Sequence, residues 1–251
     1  MQRERFEEDG FVILNTNLSR NNKFIDLTKR IYNSLEEEII SININKVRGS
    51  IMGNLNVYPG NYGDELLDIL KSEGTFELIE NILSKKIEEL TINYGGNLSL
   101  PNKGEQHFHI DGGYNKEMYL MSISTEDISE INGPTEVCVG SHKKYLPFWK
   151  FVFSKKNKKK ILLNKGDIVL RKHSLWHRGT KNISKKNRLL LSFIIFPQDS
   201  KYQIKLNKTS ELAILPNFFK QNNLGLIHEL IYSKTRPLLF LIKFVKSLIF
   251  K

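Results

Sequence analysis

Across residues 21–40 the apolar side chains Phe24, Ile25, Leu27, Ile31, Tyr32, Leu35 and Ile39 recur three and four positions apart, with charged residues between them. That repeat predicts a helix burying one face. Two shorter helical patterns follow, around 65–71 and 76–87, and the character of the chain changes at about Leu90. Short runs rich in Ile, Val, Phe and Tyr then occupy 90–94, 106–111, 118–124, 135–139, 167–171 and 188–196, separated by Gly, Asn, Pro and Ser. Helices first and short strands afterwards predict an α+β chain whose β part is a sandwich or small barrel. From Ser200 the strand signals fade, and 223–251 reads as helix interrupted at Pro237.

With 40% hydrophobic and 26% charged residues over 251 positions, disorder and a collagen-like fibre are excluded. A single cysteine, Cys138, rules out an intrachain disulfide and a cysteine-rich zinc module, which fits a reducing compartment. Charges at Arg3, Glu4, Arg5, Glu7, Glu8 and Asp9 leave no continuous apolar stretch for a secretory signal, so the expected location is the cytoplasm. The net charge of +11 invites a nucleic-acid reading. Lysine supplies 29 of the 38 cations in a chain crowded with Ile and Asn, a mixture that AT-rich codons produce by themselves. No zinc-finger spacing or aromatic RNA-binding motif accompanies the charge, so nucleic acid is disfavoured as a partner. The densest lysine run, 155–160, reads as a solvated loop.

The histidines carry the candidate chemistry. In the segment Gln106-His107-Phe108-His109-Ile110-Asp111, a strand period of two puts His109 and Asp111 on one face. His107 shares that face, so periodicity leaves open which histidine belongs with the carboxylate. A second block, from Gly166-Asp167 to Leu175-Trp176-His177-Arg178-Gly179, reads as a turn, a strand and a short connection that delivers His177. Eleven residues later, past a hairpin-like turn at Asn182 and Ser184, Arg188 opens an apolar strand. A guanidinium carried into such a strand calls for an anion, and its fork suits a carboxylate. Two histidines and one carboxylate bind one side of a metal and leave the other open, as in non-haem Fe(II) oxygenases. The arginine would then hold a dicarboxylic cosubstrate.

Five ordered blocks resemble the phytanoyl-CoA dioxygenase-like branch of the Fe(II)/2-oxoglutarate-dependent oxygenases. They are Phe6-Glu7-Glu8-Asp9-Gly10-Phe11-Val12; Asn97-Leu98-Ser99-Leu100-Pro101; Gln106 to Gly112; Asn132-Gly133-Pro134-Thr135-Glu136-Val137 with Gly140-Ser141-His142; and Gly166-Asp167 through His177 to Asn182 and Arg188. The resemblance implies that His109, Asp111 and His177 bind Fe(II) and form the catalytic centre, and that Arg188 binds the distal carboxylate of 2-oxoglutarate. It sets Asn97 and Gln106 where polar residues line the cosubstrate pocket. His142 falls in a structural turn, His107 and His173 lie outside the ligand positions, and His228 lies outside the resemblance. The implied fold is a double-stranded β-helix, a jelly-roll or cupin-like barrel, with N-terminal helices packed on it and a C-terminal helical tail. Residues 1–199 would be the oxygenase domain, helical to about 88 and barrel from about 89 to 199, and 200–251 a helical extension.

The implied activity is hydroxylation of a small-molecule or acyl, lipid-like substrate with O2, releasing succinate and CO2. Halogenating relatives lack the carboxylate ligand, so the presence of Asp111 disfavours that outcome. The alternatives are a zinc-type or non-catalytic metal-binding barrel on the same scaffold and a cupin-like isomerase or epimerase, against which the five ordered blocks weigh. The apolar segment 238–251 carries lysines and is shorter than the about 20 residues a membrane span needs. It reads either as a basic amphipathic helix in peripheral contact with a membrane or as a helix docked on the barrel or a second subunit, through 236–251.

Overall fold

The computed structural model describes the chain except residues 113, 115–116, 199–209, 218–220, 235 and 250–251, with the backbone alone at 232–240 and 243. The first part of the C-terminal extension, 200–209, and its last two residues therefore lie outside the described residues.

Three helices follow from the N-terminal periodicity: α2 (Asn22–Ser41), α3 (Tyr62–Ser72) and α4 (Thr75–Leu83), preceded by a short α1 (Gln2–Asp9). Helix α2 begins where Asn21 accepts a hydrogen bond on its side chain from the Phe24 N–H, an N-cap, and buries Phe24, Leu27, Ile31 and Leu35. Helix α4 ends at Leu83, short of the 76–87 pattern, because Ser84 turns into the left-handed region at φ 53°. Ten strands form two antiparallel sheets. They are β1 (Phe11–Leu14), β2 (Asn54–Tyr58), β3 (Leu90–Ser99), β4 (Tyr119–Ser124), β5 (Thr135–Cys138), β6 (Lys158–Ile161), β7 (Ile168–Lys172), β8 (His177–Gly179), β9 (Arg188–Pro197) and β10 (Ala213–Leu215). Seven of them run in the order β1-β7-β4-β9-β3-β2-β10, and three in the order β6-β5-β8.

The large sheet is covered on one face by the helices. In β9, Leu189, Leu191, Phe193 and Ile195 join the core formed with α2, α3 and α4, while Leu190, Ser192, Ile194 and Phe196 on the opposite face line a cavity. This alternation decides the location of the site. Odd positions hold the helices, and even positions look between the two sheets.

The structure corrects several expectations. The 106–111 segment is not a regular strand; it runs extended beside 173–179, paired as an isolated bridge between His109 and His177. The lysine run is not a loop throughout. Lys158, Lys159 and Lys160 lie in β6, an edge of the small sheet, with their side chains exposed, and lysines on an edge strand discourage pairing with another chain. Strand β10 forms where the pattern fades, pairing with Asn56, Val57 and Tyr58 of β2. At the C-terminus, α6 (Asn223–Lys234) and α7 (Arg236–Ile249) separate just before Pro237, which suits the first turn of a helix. Glu229 of α6 is buried and accepts hydrogen bonds from the N–H groups of Ile51 (2.8 Å) and Met52 (3.3 Å). Helix α7 rests on α5 (Phe148–Phe153): the Trp149 N–H donates to Ser247 Oγ at 3.2 Å, and Phe153 meets Phe244 edge-on at 5.7 Å.

The turn between β8 and β9 is set by Asn182, which is fully buried. Its Nδ2 donates to the carbonyls of Ser99 (3.1 Å) and Lys186 (2.8 Å), and its Oδ1 accepts from Ser184 N (3.0 Å) and Oγ (2.7 Å). Replacing Asn182 with Ala strands these partners in the interior. The expected loss is about 1–3 kcal/mol of stability, read as a lower urea midpoint at unchanged slope.

Candidate metal centre

Four backbone hydrogen bonds hold the first histidine segment to the second: Gln106 N to Gly179 O, His109 N to His177 O, His177 N to His109 O, and Asp111 N to His173 O. They bring the His109, Asp111 and His177 side chains to one place, with one nitrogen or oxygen from each lying within 4.8 Å of the others. His109 Nε2 is 3.8 Å from Asp111 Oδ1, and His177 Nε2 is 3.5 Å from Asp111 Oδ2.

The ring orientations suit ligation. His109 Nδ1–H donates to the His107 carbonyl at 2.8 Å, and His177 Nδ1–H donates to the Leu175 carbonyl at 2.9 Å. A carbonyl can only accept, so each ring carries a proton on Nδ1 and, when neutral, turns a bare Nε2 lone pair toward the carboxylate. The structure thereby settles the choice that periodicity left open: His109, and not His107, stands with Asp111. His142 is buried with Nε2 at 3.0 Å from the Glu7 carbonyl, and His173 with Nδ1 at 3.0 Å from the Met118 carbonyl; neither joins the cluster.

Sequence reasoning missed Arg171. Its guanidinium donates to Asp111 Oδ2 at 2.6 Å and is almost wholly buried on β7. Burial alone would raise the Asp111 pKa, but the Arg171 guanidinium, by its charge and its hydrogen bond, outweighs it and holds the carboxyl well below the usual range. The same guanidinium lies 3.4 Å from His177 Nδ1, donor against donor. Burial, seconded by Arg171, keeps His177 neutral far below its ordinary pKa of 6.5. A cation closing a strand of buried apolar residues was the signal available, the same one that drew attention to Arg188.

A cavity of about 520 Å³ opens from the cluster, walled by His109, Asp111, Arg171 and His177 and by the inward face of β9. Asn97 and Gln106 both line it. Gln106 Oε1 accepts from the Gly179 N–H at 2.8 Å. Arg188 lies behind Asn97, only 1% exposed, on the same face of β9 as the lining residues Leu190 and Ser192. Its nitrogens donate to Asn97 Oδ1 (3.3 Å) and to the carbonyls of Asn97 (3.5 Å), Asn132 (3.4 Å) and Gly133 (2.5 Å). Burial lowers its pKa to about 10, against a weaker opposing pull from Glu126 and Tyr32, so it stays a cation at neutral pH.

Antiparallel sheets enclosing a cavity, with a His-Asp-His cluster in its wall, define a protein class with a candidate mononuclear metal centre. Residues 71–190 match the family model of phytanoyl-CoA dioxygenase (PhyH), in agreement with the likeness read from the motifs. No curated protein sequence matches the chain. Among solved structures, AviO1 from Streptomyces viridochromogenes Tue57 is similar at TM-score 0.62 and 19% identity, over 80% of this chain and 96% of that one. SnoN, a non-heme alpha ketoglutarate dependent epimerase from nogalamycin biosynthesis, gives TM-score 0.60 at 14% identity over 86% and 95% of the two chains, in a complex with Fe3+, alpha ketoglutarate and nogalamycin RO. HygX from Streptomyces hygroscopicus, with nickel, 2-oxoglutarate and hygromycin B bound, gives TM-score 0.55 at 14% identity over 79% and 87%. At these identities the likeness is one of fold.

The neutral His177 sets a pH dependence. Where the unfolded imidazole takes up a proton and the native one does not, acid favours unfolding; stability is full above about pH 6.5 and falls below it, by up to about 1.4 kcal/mol per pH unit. Urea unfolding of metal-free protein from about pH 7 to about pH 5 should show this slope. His177→Asn should flatten it, leaving the part due to His142, which burial also shifts downward.

Proposed function

We propose that the chain is an Fe(II)- and 2-oxoglutarate-dependent oxygenase built on a double-stranded β-helix, with His109, Asp111 and His177 as iron ligands and Arg188 as anchor for the distal carboxylate of 2-oxoglutarate. Residues 1–199 form the oxygenase domain, and 200–251 its C-terminal extension. The observation that carries the reading is Arg188, a buried cation on the cavity-facing side of β9 whose hydrogen bonds all end on carbonyl and amide oxygens. Such a group gains most from a charged oxygen pair, and a dicarboxylate brings one. A hydrolytic zinc site or a non-catalytic barrel gives Arg188 no such partner.

The donor set fits the metal: two bare Nε2 atoms and one carboxylate, all aimed at a single volume. Iron with 2-oxoglutarate, when bound, supplies O2-dependent oxidation of a C–H bond, with decarboxylation of the cosubstrate to succinate and CO2. The chain supplies position and dryness. Arg171 fixes Asp111 through Oδ2, and backbone carbonyls fix both imidazoles. Asn97 orients the Arg188 guanidinium, and Gln106, its oxygen held by Gly179, is left with its amide N–H donors to offer a cavity ligand. A cavity of about 520 Å³ suits a cosubstrate with a small molecule beside it, and hydroxylation is the outcome assigned.

Purified protein with Fe(II), 2-oxoglutarate and O2 should release succinate above background. His109→Ala, Asp111→Ala and His177→Ala should abolish that release and weaken Co(II) binding measured by calorimetry, whereas His107→Ala should leave Co(II) affinity in place. A His107→Ala loss beside an unaffected His109→Ala overturns the ligand assignment.

Arg188→Lys keeps the charge and loses the fork, so the KM for 2-oxoglutarate should rise on the order of ten- to a hundredfold. An unchanged KM in both Arg188→Lys and Arg188→Met removes the anchor role.

A further inference from the structure

We propose that the surface formed by α7 and α5 is a docking face for an anionic lipid bilayer, on which α7 lies in the interfacial plane. Among its described side chains, helix α7 meets α5 through one edge, Phe244 and Ser247. At about 100° per residue, Leu241, Ile242, Val245, Leu248 and Ile249 fall within an arc of about 120° beside that edge. All five are 41–66% exposed, and Phe153, next to Phe244, is 74% exposed. An amphipathic helix normally turns its apolar arc inward; this one turns it out.

Charge identifies what covers it. Between Lys143 and Lys165, the stretch that contains α5, there are nine lysines and no acidic residue; from Leu230 to Lys251 there are five cations and again no acidic residue. Together these exceed the +11 of the whole chain, so the remainder is net negative and the positive charge is concentrated in the two segments that pack together. Lys150 within α5, Lys155 just after it and Lys246 beside the apolar arc are exposed. A second copy docked through this face would set two such cationic surfaces against each other. A nucleic acid would match the charge and leave the leucines and isoleucines uncovered. A bilayer with acidic headgroups matches both, the acyl boundary taking the arc and the headgroups taking the lysines. Among the described residues no helix is long and apolar enough to cross a membrane, in keeping with a helix that lies on one.

The test is flotation of the full chain with phosphatidylcholine vesicles, with and without phosphatidylserine. Binding is expected only with phosphatidylserine, and it should weaken at about 1 M salt, where the Debye length is ~3 Å. Val245→Glu and Leu248→Glu change exposed positions, so the circular dichroism spectrum should be unaltered while vesicle affinity falls about tenfold or more. Lys150→Gln and Lys246→Gln should each weaken it roughly fivefold. Equal flotation with both vesicle types, or affinity indifferent to Val245→Glu, overturns the proposal. A lipid-free dimer that Val245→Glu dissolves assigns the face to a second copy instead.

Discussion

Everything in the site depends on the short ladder between 106–111 and 173–179. Neither segment has enough regular pairing to stand alone: β8 is three residues long, and the 106–111 segment is not a strand at all. The reciprocal bonds of His109 and His177 fix their backbones face to face, and the bond from Asp111 N to His173 O sets the carboxylate beside them. Supports converge from outside. Cys138 N donates to Trp176 O, Trp176 N donates to Ser141 Oγ, and the Trp176 ring stacks on Phe151 at 3.9 Å. A cation bound by all three side chains would tie the two segments together, which couples binding to local stability.

Where burial is one-sided or complete, the sequence announces the element. Helix α2 was legible because its inward residues keep the helical repeat over its whole length, and β7 and β9 because apolar residues fill both of their faces. Elements that draw their stability from elsewhere were illegible. Strand β10 is held by the edge of β2 and not by its own pattern, and β6 carries three consecutive lysines because an edge strand tolerates them. The site residues could be read in type and order from the motifs. The choice between His107 and His109 could not, since a period of two treats them alike and only their placement separates them, His109 with the carboxylate and His107 beside Phe108 and Phe151 in a separate pocket.

Arg171 lines the cavity and Arg188 lies behind its wall at Asn97, and their difference organises the electrostatics there. Arg171 is paired: its charge is matched by the ionised Asp111, beside a His177 that burial keeps neutral. Arg188 is unpaired at close range, its nearest compensation being the through-space pull of Glu126, which is itself the acceptor of the Tyr32 hydroxyl. On the proposed reading, an anion entering the cavity finds Asp111 already matched by Arg171 and is drawn towards Arg188, behind Asn97. With a divalent cation on the three ligands, the near end also becomes positive. Under the proposed function, the guest that balances both carries two negative groups: a dicarboxylate and not a monoanion. Two buried arginines of the same chemistry thus differ: one is matched by the protein's own carboxylate, and the other, held by carbonyl and amide oxygens, is the one proposed to receive a carboxylate from outside.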